Sequence, residues 1–136
     1  MDLASIDVAD LANEGCAMHV HGPDGTPLFK SDEVTPVTIV LLGQDSDKLT
    51  RIMNQRGNRH LRARGPITMT VEQGQKADID YLVAATVAWD GIGLGEEQTP
   101  LSEEAARKAY SYAWLRDQAR AFIFDRARFT KASSQT

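Results

Sequence analysis

Pro36-Val37-Thr38-Ile39-Val40-Leu41-Leu42-Gly43-Gln44-Asp45-Ser46-Asp47 changes character at its glycine. Before Gly43 the run is rich in β-branched side chains, which pack well on a pleated surface and read as a strand. After it, Asp45 and Ser46 offer oxygens that can accept from the unpaired backbone N–H groups of a helix start. The chain is therefore expected to pass from strand to helix here, and the segments on either side follow suit.

Upstream, Ala17 to His21 alternates apolar and polar residues. Gly22-Pro23-Asp24-Gly25 is a strong turn signal, because proline presets its backbone angle and glycine tolerates positive ones. Pro27 to Lys30 reads as a returning strand. Asp7 to Asn13 is expected to be a short helix, with Val8 and Leu11 three apart and Gly15 as its stop. The first third thus reads as a small antiparallel sheet. Downstream, a helix from Asp47 to about Arg64 aligns Leu49, Ile52, Met53 and Arg56 on one side. Gly57 weakens it, and Gly65-Pro66 ends it.

Thr70-Val71-Glu72-Gln73 has the capping-box pattern. Ile79, Leu82, Val83, Thr86 and Trp89 then recur at helical spacing, which predicts a helix running on to Trp89. Ala84, Ala85 and Ala88 give it a second, smooth face. Gly91, Gly93 and Gly95 are expected to stop that helix in a loop. Pro100 and Ser102 open a third helix to about Ala113. A fourth runs from Trp114 to Phe129, with Leu115, Ala119, Phe122, Ile123, Arg126 and Phe129 on one stripe. The expectation is an α+β fold: a small N-terminal antiparallel sheet packed with three to four C-terminal helices. Strands and helices segregate along the chain, which argues against a doubly wound parallel sheet. Ile39, Leu41, Leu82, Val83, Trp89, Leu115, Phe122 and Ile123 are the expected core.

The chain has 136 residues, the usual size of one domain, so 1–136 reads as a single unit with residues 1–15 and 131–136 as flexible ends. Hydrophobic residues make up 42% and charged residues 25%, which argues against disorder. A single cysteine, Cys16, rules out an intrachain disulfide. The start, Met1-Asp2-Leu3-Ala4-Ser5, lacks the positive and apolar regions of a signal peptide, and no apolar run is long enough to cross a bilayer.

The net charge of -4 is unevenly spread. Residues 1–50 carry -7, residues 51–66 carry +5 from arginines alone, and residues 67–136 carry -2. An acidic chain with one basic island is not the profile of a general nucleic-acid binder. The island is Arg51, Arg56, Arg59, Arg62 and Arg64, with His60 among them. Two readings stand: it docks an acidic partner segment or a phosphate backbone, or it is a solvated face paired with the acidic N-terminal third. Phosphate is the weaker version, since no aromatic residue is interleaved to stack on bases.

Cys16, His19 and His21 form the one metal-like cluster. His19 and His21 share a strand face, but Cys16 has the opposite parity and a fourth ligand is lacking, so no metal is expected. Gly91-Ile92-Gly93-Leu94-Gly95 has the wrong spacing for a phosphate loop and is expected to follow a helix rather than a strand. Asp78 and Asp80 point to different helix faces and do not pair. No nucleophile has a persuasive context, so neither a catalytic residue nor a cofactor is expected. Trp89 and Trp114 are expected in the core, with Trp114 the better candidate for a partner anchor.

Three stretches taken in order carry a resemblance. They are Pro36 to Asp47 with the Arg-rich helix after it; Val87-Ala88-Trp89-Asp90-Gly91-Ile92; and Pro100-Leu101-Ser102-Glu103-Glu104-Ala105 through Trp114-Leu115-Arg116-Asp117-Gln118 to Phe124-Asp125-Arg126-Ala127-Arg128-Phe129. Their order and spacing resemble the tail assembly chaperones of long-tailed bacteriophages (siphophages), over roughly residue 17 onward. The resemblance implies a non-enzymatic factor that binds the tape measure protein, a long helical and aggregation-prone chain. It keeps that chain soluble while tail tube subunits polymerise around it. It further implies the host bacterial cytoplasm as location and absence from the mature virion. The tail tube protein and a second copy of the chain are further candidate partners; no nucleic acid or membrane partner is expected. The alternative is a structural minor tail or head–tail connector component of the virion.

Overall fold

A computed structural model describes residues 1–62 and 69–130. Its elements in chain order are α1 (Ala9–Glu14), β1 (Cys16–His19), β2 (Thr38–Leu41), α2 (Asp47–Arg62), α3 (Val71–Ala85), β3 (Thr86–Asp90), α4 (Glu103–Ala109) and α5 (Ala113–Ile123). Short 3-10 turns cover Leu3–Ile6 and Arg126–Phe129. The class is α+β, with a three-stranded antiparallel sheet ordered β1-β2-β3.

β2 is the central strand and owes its place to its alternation. Ile39 and Leu41 are buried while Thr38 and Val40 are half-buried. Ile39 sits opposite Met18 on one side and Trp89 on the other, so the inner face of the sheet is apolar across all three strands. That face closes on Leu49, Leu82, Ala85, Tyr110, Leu115, Ala119 and Ile123. Gly43 allows the tight exit from β2: a Cβ there would lie 2.8 Å from the Ala12 Cβ and 3.2 Å from the Phe129 ring. Ser46, fully buried, then accepts from the Leu49 N–H at 3.3 Å and caps α2.

The third strand departs from the expected helix to Trp89. α3 stops at Ala85, and Thr86–Asp90 pairs with β2. The reason is local and tertiary at once. Thr86 turns its hydroxyl back onto the Leu82 carbonyl at 2.8 Å, and Thr86-Val87 is a β-branched pair beside a central strand that needs a second partner. Trp89 would lie on the apolar side in either conformation, so periodicity did not separate the two.

Other boundaries shift as well. The expected strand at Pro27 to Lys30 survives only as isolated bridges, His21 with Pro27 and Phe29 with Pro36. Leu28 is inserted between the strands instead: its N–H donates to Val20 O and its carbonyl accepts from Val37 N–H, both at 3.0 Å. The expected helix to Ala113 stops at Ala109, and the fourth breaks after Ile123, where the Asp125 carboxylate caps the 3-10 turn at Ala127 N. Of the expected core, Ile39, Leu41, Leu82, Leu115 and Ile123 are buried, whereas Val83, Trp89 and Phe122 are half-buried at its margin. Tyr110 and Phe129 are the largest fully buried side chains.

Candidate functional site

α2 and α3 form a helical hairpin whose burial falls away from the sheet. Leu49 at the foot of α2 is completely buried, Met53 one turn on is 48% exposed, and Leu61 is 84% exposed. On α3 the same gradient runs from Tyr81, buried, back to Val71 at 88% exposed. The outer half of the hairpin is therefore an arm that carries Met53, Leu61, Met69 and Val71 into solvent. Sequence periodicity placed Met53 with the core-facing side chains. Leu61 falls about 120° from Leu49 around a helix of 3.6 residues per turn, an out-of-register leucine that was the available signal.

The arginine island does not act as one group. Arg56 is structural: its Nη2 donates to the Ala77 carbonyl of α3 at 2.7 Å, and its guanidinium lies 5.7 Å from the centre of the Tyr81 ring. Arg51, Arg59 and Arg62 are exposed and make no ion pair among the described residues, and Lys48 shares that condition. Steps of three, eight and three residues from Lys48 through Arg51 and Arg59 to Arg62 put these cations on one flank of α2. Met53 and Leu61, with Gly57 between them, lie roughly opposite, at about 160° around a helix of 3.6 residues per turn. Arg64 lies outside the described residues.

Elsewhere four cations are paired across the fold. Arg107 of α4 meets Asp80 at 2.6 Å, Arg120 of α5 meets Asp78 at 3.5 Å, Arg126 meets Asp45 at 2.7 Å, and Lys30 meets Asp90 at 3.0 Å. Asp78 and Asp80 thus tie α3 to two different helices, as their spacing required.

Trp114 is half-buried on another wall, where it faces the Gly22–Gly25 turn across an open hollow that includes none of the arginines. Trp89 packs at the margin of the core and donates its indole N–H to the Thr99 carbonyl at 2.8 Å. Gly91 to Gly95 follow strand β3, not a helix, which corrects the expectation. The loop still opens no helix directly: Thr99 N–H donates to Ile92 O at 2.7 Å and closes it, and α4 begins later behind its own cap, Ser102.

A groove of about 800 Å³ lies between the β1 edge and α5 and includes Cys16, His19 and His21. His19 Nε2 is bonded to Leu28 O at 2.8 Å and His21 Nδ1 to His19 O at 2.9 Å, so both rings are engaged with backbone. Burial, then the nearby Glu14 carboxylate, raises the Cys16 thiol above its usual range and disfavours the thiolate that a metal would need. Among the described residues no three His, Cys, Asp or Glu side chains form a metal-binding group. Gln118 of α5 clamps the strand end, accepting from His21 N–H at 2.9 Å and donating to His21 O at 2.8 Å. No helix is long and apolar enough to cross a membrane among the described residues. Comparison with protein-family models, with curated proteins and with solved structures finds no match to this chain.

Proposed function

We propose that this chain is a non-enzymatic tail assembly chaperone that binds the tape measure protein through the apolar edge of the α2–α3 arm and keeps it soluble during tail tube assembly. One observation carries the reading: the arm holds Met53, Leu61, Met69 and Val71 uncovered. Exposed apolar side chains grouped on a helical hairpin suit the apolar face of an amphipathic client helix. Unbranched methionine adapts to varied client surfaces. The ordered resemblance of three separate stretches supplies the identity of the client. On this reading the chain acts in the host cytoplasm and leaves before the virion is complete.

Co-expression tests it. The tape measure protein is expected to become soluble and to co-purify with the wild-type chain, and Met53→Glu with Leu61→Glu is expected to abolish both effects while the fold persists. Failure of the wild-type chain to solubilise or retain the tape measure protein overturns the proposal. Mass spectrometry of purified particles gives a second check, since a fixed copy number there marks a structural virion component.

A further inference from the structure

We infer that the basic flank of α2 docks a second copy of this chain, against the acidic row that runs from Asp7 along its α1, in a two-fold antiparallel pair. The inference does not rest on the client assignment, because the client edge and the basic flank lie on different sides of the arm.

The two surfaces are complementary and both unsatisfied. Lys48, Arg51, Arg59 and Arg62 form one exposed stripe with no acid in an ion pair among the described residues. Asp7, Asp10 and Glu14, three and four apart, form an exposed acidic row that likewise has no cation in an ion pair among the described residues. The stretch from residue 1 to residue 14 holds four acids and no lysine or arginine, so nothing within it neutralises the row.

Position keeps Arg59 and Arg62, though not Lys48 and Arg51 at the foot of α2, away from the acidic row within one molecule. The acidic row lies at the foot of the arm, where the Asp47 N–H donates to Asn13 Oδ1 at 2.7 Å and fixes the end of α1 beside the start of α2. Arg59 and Arg62 lie toward the tip, about 12 and about 16 Å along the helix from Arg51 at 1.5 Å per residue. A second copy running in the opposite direction brings each tip beside the other's foot. The same patch then serves on both copies, and every contact is made twice, as a closed two-fold interface requires.

Sedimentation velocity of the full chain at about 50 mM and about 500 mM salt tests this, because exposed charge attraction is screened as the Debye length shrinks. A dimer at low salt is expected, weakened about tenfold or more at high salt. Arg59→Glu with Arg62→Glu is expected to abolish the dimer, and so is Asp10→Lys with Glu14→Lys. An equimolar mixture of these two variants restores it, because each then offers the sign that the other lacks. That restoration also shows that both variants are folded. A chain that stays monomeric at low salt, a dimer indifferent to the reversals, or a mixture that does not re-form the pair overturns the inference. So does the outcome in which Arg59→Glu with Arg62→Glu keeps the dimer and loses only the tape measure protein, which gives the stripe to the client.

Discussion

Arg56 and Arg59 are one helical turn apart on α2 and are indistinguishable by charge, yet truncating them should have very different consequences. Arg56 donates to the Ala77 carbonyl at 2.7 Å and lies over the Tyr81 ring, so its loss removes a charged hydrogen bond and a cation–ring contact between α2 and α3. A hydrogen bond to a charged group contributes about 1.5–3 kcal/mol, and a partly exposed cation–ring contact about 0.5–1 kcal/mol. Water can reach the freed carbonyl in part, so the net cost of Arg56→Ala is about 2 kcal/mol. With a urea m-value of about 2 kcal/mol/M, the midpoint should fall by about 1 M. Arg59→Ala, at an exposed site with no ion pair among the described residues, should stay within about 0.5 kcal/mol of wild type. Urea unfolding followed by far-UV circular dichroism measures both. Equal losses for the two variants, or a loss below about 0.5 kcal/mol for Arg56→Ala, would refute the division of the arginines into a structural one and a free stripe.

Further expectations concern the body. Tyr110 is fully buried, its hydroxyl 2.6 Å from Thr86 Oγ1, and burial pushes it up to about 12 from its ordinary value. The unfolded phenol ionises near pH 10, so the contribution of Tyr110 is intact below that and is lost as pH rises toward about 12; Tyr110→Phe should flatten this alkaline decline in melts taken across the window. The Tyr81 hydroxyl is buried without a hydrogen-bond partner among the described residues, and Tyr81→Phe should therefore raise stability by about 1 kcal/mol in the same urea assay. Gln118→Leu removes both bonds to the His21 backbone and should cost about 1–3 kcal/mol, with faster amide exchange at His21. Gly43→Ala drives a methyl group against Ala12 and Phe129 and should cost about 1–3 kcal/mol, read as a lower melting temperature.

The sequence made the class of the fold legible because its strongest local signals agree with the tertiary structure. The β-branched run before Gly43 is the central strand, and the capping box at Thr70 begins α3 with both reciprocal bonds, Gln73 N–H to Thr70 Oγ1 at 3.1 Å and Thr70 N–H to Gln73 Oε1 at 3.0 Å. Thr86 to Trp89 misled for a physical reason. Alternation and helical spacing coincide over so few residues, and the pairing partner that decides between them lies some fifty positions earlier in the chain. Tyr110 could not be ranked as core from its neighbours, since its burial depends on Thr86 meeting it across the fold. For the arm, the charge of the island was legible, but its division was not. Only the packing of Arg56 against Ala77 and Tyr81 separates it from Arg51, Arg59 and Arg62.

That division bears on what the arm is for. Surface ion pairs contribute little stability individually, so the pairing of Arg107, Arg120 and Arg126 with acids is better seen as fixing how the body elements sit than as holding them folded. The arm lacks this device and carries costs besides. Arg59 and Arg62 are like charges at neighbouring helical positions, opposing the helix by roughly 0.2–0.5 kcal/mol. Gly57 in mid-helix opposes it by about 1 kcal/mol. Exposed Leu61 and Val71 contribute no burial in return. Beyond Arg56 the helix is thus held mainly by its own hydrogen bonds, and local opening there costs less than in the body. An apolar client on one flank and an acidic row on the other would each remove one of these costs. On the proposed client binding and pairing, binding on either flank would stabilise the arm conformation that the other flank requires, coupling the two events positively without any contact between the bound partners.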